Sequence, residues 1–128
     1  MADSAYRLTE ELLDGNDLIL ALANGSNSGI INAARDYPEQ RYVIGIDSDQ
    51  SWMGLSVVTG SVISLIGTDI YNYIQAFSQG NFEYGDFVRT MEDGFTSFLI
   101  NNAVMGEEEI PENLIQTAIQ KEKQYLIN

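Results

Sequence analysis

Cysteine and histidine are both absent from this 128-residue sequence. Without cysteine, disulfide bonds and thiolate metal sites are excluded. Without histidine, the Ser-His and Cys-His pairs of hydrolases and the usual zinc centres are excluded as well. We therefore expect no catalytic residue and no metal site, and nothing in the sequence indicates a cofactor.

Basic side chains are scarce. Six lysines and arginines face 19 aspartates and glutamates, which gives a net charge of −13. Nucleic acids are bound through clustered Lys and Arg, and so are anionic membrane surfaces, so we expect neither as a partner. The longest apolar run, Leu18–Ala23, is too short to span a bilayer, so we expect no direct membrane insertion.

The composition that remains is that of a globular protein, with 45% apolar and 20% charged residues. A chain of this length and hydrophobicity predicts one α/β domain over residues 1–128. Met1–Gly15 lacks the basic and apolar pattern of a signal peptide, and no lipobox cysteine is present. The sequence alone therefore leaves the compartment open.

Hydrophobic periodicity predicts the element order α-β-α-β-β-α-β-β-α. In the first helix we expect Ala5, Leu8 and Leu12 to share one face. Continuous apolar strands that alternate with helices favour a mostly parallel sheet flanked by helices. The predicted helices are Ala5–Asp14, Gly29–Tyr37, one from about Thr68 to Ser78, and one from Pro111 to about Leu126 that follows the acidic run Glu107–Glu109. The predicted strands are Leu18–Ala23, Tyr42–Ile46, Val57–Ile63, and a hairpin of Asp86–Met91 and Phe95–Ile100 around Glu92–Gly94.

Two polar loops follow the first two predicted strands. Asn24-Gly-Ser-Asn-Ser-Gly29 joins a strand to a helix, and its glycines would let the backbone approach a ligand. It is either a cradle for a polar or anionic group or an ordinary strand-to-helix loop with a polar cap. It matches neither a Walker A motif nor a complete dinucleotide fingerprint.

The second loop is Asp47-Ser-Asp-Gln50, with Trp52 shortly after it. A carboxylate at a strand end can accept two hydrogen bonds from vicinal hydroxyls, as on a ribose, and Trp52 can stack on a base or sugar. Asp47 is otherwise an ordinary turn aspartate. As a third alternative, Asp47 and Asp49 could serve Mg²⁺-dependent phosphoryl transfer, with Lys121, Lys123 or an arginine offsetting the phosphate charge.

These motifs occur in the same order in a known family. Ala23–Gly29, Val43–Gln50, Val57–Ser61 and Met91–Gly94 together resemble the C-terminal half of the basic membrane protein family. Its members are substrate-binding lipoproteins of ABC transporters, of the purine-nucleoside receptor type. The resemblance covers nearly all of the chain, and Gly45-Ile-Asp-Ser-Asp-Gln50 is its most specific part.

The resemblance implies one lobe of a class I periplasmic binding protein, in which two lobes clamp a nucleoside. Asp47 would hold the ribose hydroxyls, with Gly25 and Ser26 beside the ligand. Asn24, Asp49 and Trp52 complete the candidate set. The family is mostly extracytoplasmic and lipid-anchored.

The sequence also departs from the family. Ser64 stands where members commonly carry a lysine. The strand Val57–Ile63 is one residue longer than in the family, which predicts a shift or bulge at Gly60. These 128 residues include no counterpart of the family's N-terminal lobe, so we expect a single-lobe protein. One lobe alone leaves one side of a bound ligand exposed to solvent and leaves an apolar surface uncovered. We therefore expect weak nucleoside binding and a homodimer through that surface.

The sequence thus predicts a non-enzymatic, ligand-binding domain of an ABC transporter substrate-binding protein, as a partial family member. The alternative is a stand-alone regulatory or interaction domain that has lost ligand binding and works through its dimer surface.

Overall fold

Four strands and five helices make up this computed structural model, which describes residues 1–107 and 109–126. Glu108, in the acidic run before the last predicted helix, lies outside the described residues. The helices are α1 (Ala2–Leu13), α2 (Asn27–Asp36), α3 (Ile66–Ser78), α4 (Asn102–Met105) and α5 (Glu112–Leu126). The strands are β1 (Leu18–Leu20), β2 (Tyr42–Asp47), β3 (Val58–Ser64) and β4 (Thr96–Ile100).

The domain predicted over residues 1–128 divides into two compact units. Unit 1 consists of Met1–Ile63 and Phe98–Glu109, and unit 2 of Ser64–Ser97 and Ile110–Asn128. Apart from the ends of β3 and β4, the sheet belongs to unit 1.

The sheet has the strand order β1-β2-β3-β4, and its first three strands are parallel. The β4 strand runs antiparallel, because Asn101 N donates to Thr59 O and Leu65 N donates to Phe95 O. The predicted α/β class with a mostly parallel sheet is therefore confirmed. Val43 pairs with Val58 while the next residue, Ile44, pairs with Gly60, so the irregularity predicted at Gly60 falls at Thr59.

The core of unit 1 lies between the sheet and the pair α1 and α2. Leu13, Ile31, Val43 and Val58 are fully buried in it. Gly29 allows the close helix contact, because a Cβ there would collide with the carbonyl of Ala2.

The apolar face predicted for α1 is mostly exposed at two of its three positions. Leu8 and Leu12 are 60% and 57% exposed, whereas Thr9 and Leu13 are buried. Ala5 packs against the core as expected. The helix presents the stripe through Thr9 and Leu13 to α2, one residue further round than the leucine spacing suggested.

The predicted C-terminal hairpin is also incomplete. Its second strand forms as β4 but pairs with β3, and Asp86–Met91 is not a strand. The backbone donors of the first segment go to carboxylates instead: Thr90 N donates to Asp93 Oδ2 at 3.1 Å, and Met91 N to Glu122 Oε2 at 2.8 Å. Gly94, at φ +72°, still makes the predicted turn.

Unit 2 is organised by ion pairs and aromatic rings. Arg89 donates to Asp69 Oδ2 and to the Tyr73 hydroxyl, each at 3.2 Å, and Lys123 pairs with Glu92 at 2.8 Å. The Phe82 ring contacts the rings of Tyr73, Phe77 and Tyr84 at centroid distances of 4.9–6.0 Å. None of the described helices is both long and apolar enough to cross a bilayer.

Neighbouring leucines of α1 differ in burial, so their truncation should differ in its effect on stability. We predict that Leu13→Ala lowers the free energy of unfolding by ~2–5 kcal/mol, because it removes a fully buried side chain and leaves a cavity. The matched variant Leu12→Ala should cost well below ~1 kcal/mol, since that side chain is already mostly in water. Urea unfolding followed by circular dichroism measures both. Equal losses would contradict the packing of α1.

Candidate functional site

The two polar loops emerge at the same edge of the unit 1 sheet, because β1 and β2 are parallel. The first contains a single 3₁₀ turn, Asn24–Ser26, directly before α2. The second follows Asp47 and contains another 3₁₀ turn, Ser51–Met53. Ligands of open α/β sheets bind at this carboxyl edge.

The buried side chain of Asn27 connects the loops. Its Oδ1 accepts a bond from Ala23 N at 2.8 Å, and its Nδ2 donates to Gln50 Oε1 at 3.3 Å. Asn27 is only 3% exposed, so both bonds form largely away from water. Asn27 therefore holds the chain before α2 and reaches across to the second loop.

Gln50 carries the connection on to β2 and β3. Its Nε2 donates to Ile46 O at 2.9 Å, and its main-chain N donates to the buried Ser61 Oγ at 3.0 Å. A side chain at Gly45 would obstruct this, since a Cβ there would lie 2.7 Å from Ser61 Oγ and 2.9 Å from Gln50 Cβ. The glycine of the Gly45-Ile-Asp motif thus makes room for Gln50.

Two candidate residues have left-handed backbone conformations. Asn24 has φ +51° and Asp47 has φ +70°, and they are the only non-glycine residues with positive φ in the described part of the chain. Asn and Asp tolerate this region better than other residues with side chains, but it still costs of order 1 kcal/mol. Both strained residues stand at the carboxyl edge of the sheet, where a binding site is expected.

The two aspartates of the second loop differ in what they bond. The Asp47 side chain is exposed, and within the described residues it has no hydrogen bond or ion pair. The Asp49 carboxylate accepts from Ser51 N at 2.9 Å and from Ser51 Oγ. The hydroxyl of Ser51, followed by its main-chain N–H, holds the pKa of Asp49 below its usual value. Asp47 is thus the aspartate free to accept bonds from a ligand.

The other predicted site residues form an open rim. Asn24, Gly25 and Trp52 are exposed, and Ser26 is half-buried. Ser26 and Ala23 line one end of an apolar groove of about 370 Å³, which continues over Leu8 and Leu12. No bond joins Trp52 to either aspartate within the described residues.

Sequence reasoning missed the residues that link the loops. The pattern of the first loop indicates a polar helix cap and no more, and the structure has Ser26 at the cap position, without a side-chain cap bond. Gln50 and Ser61 lie in the family motifs, but the sequence indicates no role for either. The signal available in the sequence was Ser61 itself, a polar residue between Gly60 and Val62 in a strand predicted to be buried, where a hydroxyl needs a hydrogen-bond partner.

Two of the groups named for the phosphoryl-transfer alternative, Asp49 and Lys123, are engaged elsewhere. Asp49 is bonded by Ser51, and Lys123 pairs with Glu92 in unit 2. Within residues 1–107 and 109–126, no three acidic side chains lie close enough together to hold a metal ion.

Comparison with known proteins identifies relatives of this chain. A family model described as "ABC transporter substrate-binding protein PnrA-like" matches residues 3–127. Basic membrane protein D of Borreliella burgdorferi (strain JD1) is 31% identical over 100 residues, a match that covers 76% of this chain. The chain spans 29% of the length of that relative.

Two solved structures share the fold, each with a TM-score of 0.67. One is a transcriptional activator of the comK gene from Bacillus halodurans, 21% identical over 94% of this chain and 40% of its own. The other is a solute-binding protein of an ABC transporter system from Aeropyrum pernix K1, 18% identical over 95% of this chain and 37% of its own.

The buried link between the loops should be sensitive to truncation. We predict that Asn27→Ala lowers the free energy of unfolding by ~1–3 kcal/mol, because Ala23 N and Gln50 Oε1 lose their partner. Asn32→Ala, on the same helix, is the control and should be neutral or slightly stabilising. Chemical unfolding measures both, and similar effects for the two variants would contradict the link.

The Ser51 bonds to Asp49 predict a pH effect. Ser51→Ala should raise the pKa of Asp49 toward its usual value, because the hydroxyl bond to the ionised form is lost. The lowered pKa stabilises the folded state above the unfolded-state pKa, and this contribution disappears as pH falls through the folded-state pKa. Carboxyl ¹³C NMR titration measures the change, with Ser56→Ala as control. An unchanged Asp49 titration in Ser51→Ala would contradict the assigned bonds.

Proposed function

Because the chain belongs to the PnrA-like family of ABC transporter substrate-binding proteins, we propose that it binds a nucleoside-type ligand at the carboxyl edge of the unit 1 sheet. Asp47 accepts hydrogen bonds from the two ribose hydroxyls. The observation that carries the proposal is the exposed Asp47 carboxylate, which has no bond to any described residue although its backbone is strained. Strain of this kind persists where the surrounding structure holds a residue in place, often at binding sites.

The neighbouring candidates have complementary roles in this proposal. Asn24 and Gly25 offer exposed polar backbone beside the ligand, and Ser26 offers a hydroxyl. Asp49 shapes the second loop through its bonds to Ser51 and so contributes indirectly. Trp52, which is exposed, stacks on the base or the sugar.

The same geometry predicts weak affinity. The rim is open, so a ligand bound to it keeps one face in water, whereas ordinary small-molecule sites bury most of their ligand. Ser64, where members of the family commonly carry a lysine, removes a cationic contact. We therefore expect dissociation constants no tighter than the high micromolar range, which corresponds to about −5 kcal/mol.

In this proposal the chain is a transport component and not an enzyme. We also propose that the domain works outside the cytoplasm on a lipid-anchored protein, as members of the family do. We further propose that the chain forms a homodimer through exposed apolar surface, as the sequence predicts.

One observation favours the alternative of an interaction domain without a ligand. Large apolar side chains remain exposed across unit 1, among them Leu18, Leu20 and Leu22. Surfaces of this kind mark protein contacts. This function predicts association of the chain with no response to nucleosides.

Isothermal titration calorimetry with adenosine and inosine tests the site. We predict weak binding by the unmodified chain and at least about tenfold weaker binding by Asp47→Asn, which keeps the backbone conformation accessible but removes the charge and one acceptor oxygen. Asp14→Asn, at another exposed aspartate of unit 1, is the matched control and should bind normally. Tight binding, or binding unaffected by Asp47→Asn, would contradict the site. No binding at all would favour the interaction domain.

A further inference from the structure

The turn between β1 and α2 contains the one asparagine–glycine pair of the sequence, Asn24-Gly25. Asparagine followed by glycine is the pair most prone to lose its side-chain amide nitrogen. The main-chain N of the next residue can attack the side-chain amide carbon, and glycine has no side chain to obstruct that approach. The contacts of Asn24 and Gly25 therefore decide whether this chemistry is open to the folded chain.

Neither reacting group is held by a hydrogen bond. The side chain of Asn24 is exposed and makes no hydrogen bond within the described residues. Gly25 is exposed too, and its N–H has no acceptor among them. The main-chain bonds of this turn come instead from Ser26 N, which donates to Ala23 O at 2.9 Å, and from Asn27 N, which donates to Asn24 O. The attacking nitrogen and the amide carbon can thus meet without breaking a bond of their own.

The backbone at Asn24 also favours the rearrangement that attack requires. The peptide between Asn24 and Gly25 must rotate so that its nitrogen approaches the side chain. Asn24 starts from φ +51°, a left-handed conformation that costs free energy, and Gly25 accepts almost any φ. Since Asn24–Ser26 is a single 3₁₀ turn, it can open locally while the rest of unit 1 stays folded.

Asn27 lies in the same segment and is protected. It precedes another small residue, Ser28, so the sequence alone makes it a second candidate. Its side chain is buried, accepts a bond from Ala23 N and donates one to Gln50. It also lies in the first turn of α2, which would have to open before its backbone could rotate. The fold therefore distinguishes two asparagines that are three residues apart.

We propose that Asn24 is a site of spontaneous deamidation through a cyclic imide. The main-chain N of Gly25 forms a bond to Asn24 Cγ, the bond from Cγ to Nδ2 breaks, and Nδ2 leaves as ammonia with the proton from the Gly25 N–H. Water then adds to one of the two ring carbonyl carbons and opens the ring. Opening at one carbonyl gives aspartate. Opening at the other gives isoaspartate, in which the main chain runs through the former side-chain carbon.

Either product changes the sheet edge at which Asp47 lies. Each adds one negative charge to a chain that already carries −13. Isoaspartate also lengthens the main chain of the turn by one carbon, so the bonds from Ser26 N and Asn27 N no longer fit. The reaction itself is independent of nucleoside binding, and so is its test.

Incubation of the purified chain at mildly alkaline pH, followed by proteolysis and mass spectrometry, tests the proposal. We expect aspartate and isoaspartate at position 24, formed faster as pH rises because the deprotonated amide of Gly25 is the attacking species. Asn27 should react at least about tenfold more slowly, which corresponds to about 1.4 kcal/mol of opening free energy. Urea should accelerate the reaction of Asn27 far more than that of Asn24, because unfolding removes the bonds that protect Asn27.

Two variants separate the cyclic route from direct hydrolysis of the amide. Gly25→Ala should fold normally, since its φ is not positive and a Cβ there meets no atom within 4 Å, and it should react several-fold more slowly. Asn24→Gln keeps an amide on a longer side chain and should give almost no product. Circular dichroism confirms that each variant is folded. Equal rates at Asn24 and Asn27 in the folded chain, aspartate without isoaspartate, or an undiminished rate in folded Gly25→Ala would overturn the proposal.

Discussion

The hydrogen bonds of Asn27 and Gln50 are the constraint on which the candidate site depends. Each loop alone is a short polar connection with few interactions that fix its conformation. Asn27 fixes the chain before α2 and bonds Gln50, which in turn bonds Ile46 and Ser61. The segment after β1, the end of β2 and the middle of β3 are thereby joined, and Asp47 lies between bonded residues. A buried and fully satisfied network of this kind specifies one arrangement, because each broken bond would leave a polar group unpaired away from water.

That constraint explains how an exposed residue can keep a strained backbone. Asp47 has a positive φ and no side-chain bond that would compensate for it locally. The bonds of Gln50 to Ile46 and Ser61 fix the backbone on both sides of it. Gly45 contributes by its lack of a side chain, which leaves Gln50 the space beside Ser61. The geometry thus accounts for the sequence motif, since Gly45, Asp47 and Gln50 each have a separate physical role.

Much of this could be predicted from the sequence, and the failures have physical causes. The apolar strands β1 and β2 and the turn at Gly94 follow from local patterns, and so does the position of Asp47 at a strand end. The buried face of α1 could not be predicted, because Leu8 and Leu12 fit a helical spacing as well as Thr9 and Leu13 do. The strand Asp86–Met91 fails because Glu122, far along the chain, takes the N–H of Met91. The Asn27–Gln50 bond likewise joins residues distant in sequence, and local pattern carries no information about it.

The central claim is that Asp47 is a free acceptor for a ligand's hydroxyl groups, held by a network that is already formed. A crystal structure of the chain soaked with inosine tests it most directly. The account predicts ribose density with both hydroxyl oxygens within about 3 Å of the Asp47 carboxylate, and unchanged bonds between Asn27 and Gln50. Inosine bound elsewhere on the chain, or an Asp47 side chain turned away from a bound ligand, would contradict it.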